Sequence, residues 1–381
     1  MAKLGEVCIQ ITDGSHNPPS GVEQSEYLML SSKNIDDDFI TLDSPRFLSH
    51  SDYIAENNRT TVCEGDLLMT IVGTIGRVAI VPKELNGICL QRSVAVIKPE
   101  REIVNNRYLM YQLQNMRPFL EKEARGVAQK GIYLKQVSQL DIKLPELEQQ
   151  KQIVKVLDKV TELISLRKQQ LTKLDKLVKA RFVEMFGDPV KNTMDWEIKP
   201  LSELGELNRG VSKARPRNSP ELLGGPYPLI QTGEVANAKT YITSFNSTYS
   251  EKGLAQSKMW PKGTLCITIA ANIAQTSILT FDACFPDSVV GFISRNMTNE
   301  LFIHYWFSFF QKILDEQAPQ VAQKNINLKI LSELNVIVPP LSLQNRFAAF
   351  VERVDQQKQT VQQSLEKLEL MKKALMQEYF G

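Results

Sequence analysis

Two stretches of the chain carry apolar side chains at alternating spacings of four and three residues. One stretch runs from 153 to 185 and the other from 347 to 379. This period is typical of a helix that packs along one stripe against another helix, so we predict a coiled-coil seam in each stretch. The apolar seam positions are Ile153, Leu157, Val160, Ile164, Leu171, Leu174 and Val178 in the first stretch, and Phe347, Val351, Val354, Val361, Leu365, Leu368 and Leu375 in the second.

Basic residues interrupt both stripes, and they do so at different places. Arg167 and Arg181 interrupt the first stripe, whereas Lys358 and Lys372 interrupt the second. Two interpretations stay open at this point. An isolated polar seam residue can fix the register of a coiled coil at some cost in stability, or its long stem can carry the charge out to water.

Prolines and a glycine indicate where these helices begin and end. Each stretch follows a proline, at Pro145 and Pro339, and the first is followed by Gly187. Two helices of about 40 residues are predicted, each about 60 Å long. Because an exposed apolar stripe is a liability, the two helices should bury their stripes against each other. The chain between them can travel out and back, which favours antiparallel pairing.

The rest of the chain alternates short apolar runs with turn signals. The segments 64–81, 93–99, 262–279 and 288–294 are rich in β-branched residues and predict strands. Helices are predicted over 104–121 and 298–315. The expected fold class is therefore α+β, with two β-rich mixed domains separated by the long helices.

An internal repeat relates the two halves. The phrase VAQKGIYLK at 127–135 returns as VAQKNINLK at 321–329, and Pro145 and Gln150 return in the same register as Pro339 and Gln344. The repeat predicts a pseudo-two-fold arrangement. The predicted segments are a first domain at 1–144, a first spacer helix at 145–190, a second domain at 191–338 and a second spacer helix at 339–381.

Composition and motifs argue against chemistry in this chain. The net charge of +2 is too small to indicate a polyanionic partner from composition alone, so any nucleic-acid surface must be a local patch. The five cysteines include no CxxC pair, which suits a reducing compartment and argues against a zinc site. We found no signal peptide and no membrane span, so a cytoplasmic location is expected. The stretch NPPS at 17–20 approaches an amino-methyltransferase motif but lacks its aromatic residue. We predict no catalytic residue, no bound metal and no cofactor.

Local basic and polar positions are the best candidates for binding. The loop 208–218 carries four basic residues and no acid, which suits contacts to DNA phosphates and base edges, although a solvated surface loop is the alternative. Other candidates lie in the corresponding place of the first half, at strand ends or turns, or in the repeated phrase, and each could instead be ordinary surface. The full set is His16, Asn17, Arg77, Gln91, Arg92, Lys130, Arg209, Lys213, Arg215, Arg217, Gln231, Thr232, Asn272, Gln275 and Lys324.

The order of these parts resembles the specificity subunit of type I restriction-modification enzymes. The resemblance rests on both VAQK phrases with the helices that follow them, on GDLLMTIVGTIGRVAIV, and on ITDGSHNPP near the start. It covers essentially the whole chain. The helix openings PELEQQ and PPLSLQ depart from the Pro-Pro-Leu-x-Glu-Gln that the family often has.

The resemblance implies a function and a set of partners. Each domain would read one half of an interrupted DNA sequence, and the helices would separate the domains and dock two methyltransferase subunits, through which restriction subunits join. S-adenosylmethionine, ATP and magnesium would be bound by those partners. The alternatives are a specificity subunit of a related methyltransferase without restriction activity, a methyltransferase with its own catalytic site, and a coiled-coil scaffold that binds no DNA.

Overall fold

The computed structural model describes residues 1–85, 87–124, 130–270, 273–309 and 326–381. The chain forms two compact units. The first unit comprises residues 1–168 and 363–381, and the second comprises residues 169–362. Each unit thus contains one β-rich domain, the beginning of one long helix and the end of the other.

The described residues of the first unit form three small sheets. A four-stranded sheet has the order β2-β8-β5-β6, a three-stranded sheet has the order β4-β3-β7, and β1 pairs with β9. The strands are β1 Ala2–Lys3, β2 Cys8–Asp13, β3 Tyr27–Leu30, β4 Arg46–Leu48, β5 Leu67–Thr70, β6 Val78–Ile80, β7 Ile88–Leu90, β8 Val94–Pro99 and β9 Asp141–Ile142.

The helices of the first unit cover its sheets and lead into the first long helix. They are α1 His50–Arg59, α2 Asn106–Asn115, α3 Arg117–Glu123, α4 Leu134–Ser138 and α5 Leu147–Phe186, of which α5 continues into the second unit. The single helix predicted over 104–121 is wrong in one respect. It breaks at Met116, because Pro118 lacks the N–H that a continuous helix would need there, and Pro118 instead opens α3.

The part of the second unit that the structure describes also forms three sheets, with the orders β11-β19-β16-β17-β13, β14-β12-β18-β15 and β10-β20. Its strands are β10 Ile198–Pro200, β11 Gly205–Arg209, β12 Leu223–Leu229, β13 Tyr241–Ile242, β14 Ser247–Tyr249, β15 Met259–Trp260, β16 Leu265–Thr268, β17 Thr276–Leu279, β18 Ala283–Cys284, β19 Val289–Ser294 and β20 Asn335–Ile337. Its helices are α6 Leu201–Leu204, α7 Thr232–Asn237, α8 Glu251–Ala255, α9 Glu300–Phe307, α10 Leu328–Ser332 and α11 Leu341–Phe380, of which α11 continues into the first unit.

The two units build their sheets in the same way. The first strand of the larger sheet, β2 or β11, pairs antiparallel with the last, β8 or β19, and a central antiparallel hairpin follows, β5-β6 or β16-β17. The smaller sheets share a parallel pair, β3 with β7 and β12 with β18. The structure therefore confirms an α+β chain with two β-rich domains of like topology.

The long helices are 40 residues each, as the sequence predicts. All of the predicted seam residues are buried or half-buried. In the second unit, Val178 and Phe182 near the end of α5 belong to one core with Phe347 and Val351 at the beginning of α11. In the first unit, Met376 and other residues at the end of α11 share a core with the beginning of α5.

A buried glutamine ties the beginning of each long helix to its own unit. The side chain of Gln150 accepts from the Asn105 N–H at 2.8 Å and donates to the Pro145 carbonyl at 2.8 Å. At the matching position, the side chain of Gln344 accepts from the Asn299 N–H at 3.1 Å and donates to the Pro339 carbonyl at 2.8 Å. Both glutamines are fully buried. The repeated glutamine therefore has a structural role.

The basic interruption at Lys358 is explained by a local ion pair. Its ammonium lies 2.7 Å from an Asp175 oxygen and 3.2 Å from an Asp355 oxygen, and only 12% of its side chain is exposed. The interpretation that this stem carries its charge to water is therefore wrong for Lys358. Arg167 also has a seam partner, since its Nε donates to Ser364 Oγ at 3.2 Å.

His304 lies in the core of the second unit, as its position in an apolar helix predicts. Its Nδ1 is 2.9 Å from the hydroxyl of Thr276. Burial, together with the nearby charge of Lys358, lowers the pKa of His304 to about 4. In the described ranges, we found no helix that combines the length and the apolar character needed to cross a membrane.

Candidate nucleic-acid interface

Two loops pack side by side at one edge of the first unit. They are the loop 14–20 after β2 and the turn 91–93 between β7 and β8, which we call the first loop pair. The Ser15 N–H donates to the Leu90 carbonyl at 2.7 Å, and the Arg92 N–H donates to the Ser15 carbonyl at 2.9 Å. A Cβ on Gly14 would lie 2.0 Å from the Leu90 oxygen. Only glycine permits this close approach of the two loops.

An acid organises the basic side chains of the first loop pair. One oxygen of Asp13 lies 2.8 Å from His16 Nε2, and the other lies 3.1 Å from a terminal nitrogen of Arg59 on α1. His16 and Asn17 are exposed beside them. Arg92 is also exposed, and it makes no ion pair within the described residues. The loop pair thus presents several donors to solvent.

Backbone hydrogen bonds extend this edge to the central hairpin. The Ser93 carbonyl accepts from the Ile71 N–H at 2.9 Å, and the Lys130 carbonyl lies 3.5 Å from the Gly73 N–H. The structure therefore brings together the predicted site residues His16, Asn17, Gln91, Arg92 and Lys130. Arg77 differs from them, because its guanidinium pairs with Asp36 at 2.8 Å.

The NPPS stretch is part of the same loop and has a structural explanation. A terminal nitrogen of Arg46 on β4 donates to the Pro18 carbonyl at 3.4 Å and also to the Pro19 carbonyl. These bonds to two successive carbonyls let Arg46 fix the path of the loop.

The second unit builds an equivalent pair of loops. They are the loop 210–219 after β11 and the turn 285–288 between β18 and β19, which we call the second loop pair. The Gly210 N–H donates to the Val289 carbonyl at 2.8 Å, as that of Gly14 does to Val94 at 3.3 Å. A Cβ on Gly210 would lie 2.2 Å from the Phe285 oxygen. The same glycine requirement therefore recurs.

Asp287 organises the second loop pair. One terminal nitrogen of Arg217 lies 2.7 Å from one Asp287 oxygen and 2.9 Å from the other. Arg215 lies 3.8 Å from the same carboxylate, and its other terminal nitrogen donates to the carbonyls of Ser212 and Ala214 at 2.8 and 2.7 Å. Arg209 and Lys213 are exposed, and neither makes an ion pair within the described part of the chain.

The remaining predicted residues of the second unit have mixed positions. Gln275 is exposed in the turn between β16 and β17, where the Ile269 N–H donates to the Ser288 carbonyl at 3.0 Å. Gln231 is exposed just after β12, and Thr232 begins α7. Asn272 and Lys324 lie outside the described residues, as does most of the repeated VAQK phrase.

The sequence analysis missed the two acids and the two glycines that build these sites. Gly14 and Gly210 occupy equivalent places, so Asp13 corresponds to Arg209. Ser93 and Ser288 make equivalent bonds to the hairpin, so Arg92 corresponds to Asp287. In the first loop pair the acid therefore ends the strand before the glycine and the arginine lies on the facing turn. In the second loop pair the arginine ends the strand and the acid lies on the turn. The available signal was a glycine directly after β2 and β11, the first strand of the larger sheet in each unit.

A family model described as the type I restriction modification DNA specificity domain matches residues 29–176 and 193–370 of the chain. A putative type I restriction enzyme MjaX specificity subunit from Methanocaldococcus jannaschii is 24% identical over 331 residues, which cover 82% of this chain and 76% of the relative. The type I restriction enzyme EcoBI specificity subunit from Escherichia coli is 36% identical over 99 residues, which cover 26% of this chain and 21% of the relative.

Solved structures have a similar fold. A chain from a study of complex assembly and conformational transition of the type I R-M system has a TM-score of 0.60 and 18% identity, covering 100% of this chain and 96% of that one. The type I restriction-modification S subunit from M. genitalium has a TM-score of 0.59 and 15% identity, covering 100% and 95%. With both halves matched by the family model, the chain belongs to the family of type I restriction-modification DNA specificity subunits.

Proposed function

We propose that this chain recognises a bipartite DNA target and that each unit reads one half-site through its loop pair. The observation that carries the proposal is that both units build the same pair of loops in the same place and equip it with different side chains. The shared glycines and backbone bonds keep the scaffold constant. The exchanged side chains would give each unit its own base preference.

The chemistry of the loop pairs suits duplex DNA. Arginine, asparagine and glutamine donate to base edges in the major groove, and lysine and arginine contact phosphates. The exposed donors at these sites are His16, Asn17, Arg92 and Lys130 in the first unit, where Gln91 is half-buried beside them, and Arg209, Lys213, Arg217 and Gln275 in the second. They sit on loops held by antiparallel strands, which would limit the entropy lost on binding.

We propose further that the long helices form an antiparallel coiled coil that separates the two readers. The packing of the end of each helix with the beginning of the other, within each unit, supports this pairing. Half-sites on one face of DNA are about 34 Å apart per turn, and a helix of 40 residues is about 60 Å long. The helices would therefore act as a ruler.

Methylation and cleavage are assigned in this proposal to partner subunits. The long helices, which match between the two halves, would give two methyltransferase subunits equivalent docking surfaces with pseudo-two-fold symmetry. Restriction subunits would join through them. S-adenosylmethionine, ATP and magnesium would be bound by these partners. A methyltransferase complex without restriction activity would use this chain in the same way.

The proposal is tested by selecting bound sequences from random duplex DNA. The full chain is purified with its methyltransferase partner, and the recovered DNA is sequenced. The expected result is one motif with two short specific parts and an unspecific gap between them. Recovery of a single uninterrupted motif, or of no motif, would overturn the proposal.

A further inference from the structure

We infer that Asp287 positions Arg217 to read a guanine in the half-site that the second unit recognises. This inference rests on the proposed function and deepens it, because it names a base and the pair of residues that select it. Asp287 acts through Arg217, so it is a positioning residue, and Arg217 is the reader.

The geometry of Arg217 favours readout. Asp287 engages a single terminal nitrogen of its guanidinium, at 2.7 and 2.9 Å from the two carboxylate oxygens. The other terminal nitrogen and Nε have no hydrogen-bond partner among the described residues. The side chain is 43% exposed, so these donors can reach a ligand. The terminal nitrogen held by Asp287 carries a second N–H group, which together with an N–H of the other terminal nitrogen still presents a planar fork of two donors.

Arg215, which shares the carboxylate, is placed differently. One of its terminal nitrogens already donates to two carbonyls of its own loop, those of Ser212 and Ala214. Its distance to Asp287 is 3.8 Å, longer than a hydrogen bond. Arg215 therefore stabilises the loop, and Arg217 keeps the donors that a base edge requires.

Guanine is the base that matches such a fork. In the major groove it offers two adjacent acceptors, O6 and N7, and a bidentate arginine is the commonest specific contact to them. A carboxylate beside the arginine limits the rotamers that the side chain samples, so less entropy is lost when the fork binds. Cytosine and thymine lack the paired acceptors, and adenine carries a donor where guanine has O6.

The first unit uses an acid in the same manner from the opposite loop. There, Asp13 on the strand-end side holds His16 and Arg59, whereas Asp287 lies on the facing turn. The acid that orients the donors is therefore at the end of the strand in the first loop pair and on the turn in the second. The two half-sites should therefore differ in sequence, and changes at Asp287 should leave the first half-site untouched.

The test maps methylated motifs on random DNA with the full chain and its methyltransferase partner. Three variants of the second unit are compared, Arg217→Lys, Asp287→Asn and Asp287→Glu. Glu221→Gln is the matched control, because Glu221 is an exposed acid of the same unit that pairs with Lys252 and not with an arginine of the loop pair. Arg92→Ala identifies the half-site that belongs to the first unit.

Arg217→Lys should lower the preference for guanine at one position of the other half-site by about tenfold or more. Asp287→Asn should relax the same position, and Asp287→Glu should restore much of it, which a general loss of folding would not do. The inference is overturned if that half-site has no guanine, or if the variants leave the motif unchanged or slow methylation of all sequences equally. A wild-type protein with no bipartite motif would overturn the proposed function as well, so the two failures are distinguishable.

Discussion

Phe380 packs against Tyr108 in the first unit, with 5.2 Å between the ring centroids. The second unit repeats the contact with the other helix, since Phe186 at the end of α5 packs against Phe302 of α9 at 4.9 Å. Phe186 and Phe380 match in the sequence repeat, as do Tyr108 and Phe302. Each long helix therefore ends in the core of the unit that holds the beginning of the other helix.

Replacing Phe380 by alanine should destabilise the protein by about 3 to 5 kcal/mol, because it removes a buried ring and leaves a cavity beside Tyr108. Urea unfolding of the full chain measures this loss. Leu370→Ala on the same helix is the control, since 68% of Leu370 is exposed. Equal effects of the two substitutions would contradict the role given to Phe380.

Replacing Gln344 by alanine should cost about 1 to 3 kcal/mol, because the Asn299 N–H and the Met297 carbonyl lose a buried partner. Gln150→Ala should have a similar effect through Asn105 and Ile103. Chemical denaturation of each variant provides the measurement. A control is Gln359→Ala at an exposed position of α11. If the buried glutamines do not contribute to stability, all three variants will have the same free energy of unfolding.

Replacing Lys358 by methionine should destabilise the second unit by about 3 kcal/mol, because Asp355 would remain half-buried without its cation. The double variant Lys358→Met with Asp355→Leu should recover much of that loss, since the charge that needs a partner is gone. Lys367→Met, at an exposed position of α11, is the control. If the double variant is no more stable than Lys358→Met, the ion pair does not explain the polar interruption of the seam.

The buried His304 predicts a loss of stability in mild acid. Its folded pKa of about 4 lies below its ordinary value of 6.5, so between these values the unfolded chain binds a proton that the folded chain does not. Its contribution is fully present above pH 6.5 and falls by about 2 kcal/mol at pH 5. His304→Asn can keep a bond to Thr276 and should reduce this fall. The free energy of unfolding is measured at pH 7 and pH 5 for both proteins. An equal loss between the two pH values in the wild type and in His304→Asn would contradict the assignment.

The sequence predicted the parts of this fold that repeat locally. The spacing of Leu157, Val160 and Ile164 reports one face of one helix, and the β-branched runs report strands that are buried on both sides. The exposure of His16 and Arg217 was predictable for the same reason, because both lie in turn-rich polar stretches. The polar and turn-forming residues around them are enough to predict that they lie at the surface.

The partners that orient those readers could not be predicted. Asp287 is a single acid after a short buried strand, and Arg217 is 70 residues away along the chain. Asp13 likewise meets Arg59 across 46 residues. The sequence left two interpretations of Lys358 open, and the position of Asp175 beside it decides between them. Each case depends on contacts between residues that are far apart in the chain, and such contacts leave no local pattern in a single sequence.

Shortening the long helices should change the spacing of the target. Deletion of 164–170 removes one heptad from α5 and preserves its seam, and deletion of 363–369 removes the segment that contains its partners Ser364 and Glu369. The double deletion shortens each helix by about 10 Å. Methylation mapping should show a changed gap between two unchanged half-sites. An unchanged gap would contradict the proposal that the length of the helices sets the distance between the two half-sites.

The central claim is that each unit reads one half-site independently. The most direct measurement is the methylated motif made by Arg92→Ala, Arg209→Ala and their double variant, each with the methyltransferase partner on random DNA. Each single variant should relax one half-site only, a different half in each case, and the double variant should show both changes without further loss. Relaxation of the same half-site by both substitutions, or of both half-sites by either one, would contradict the account.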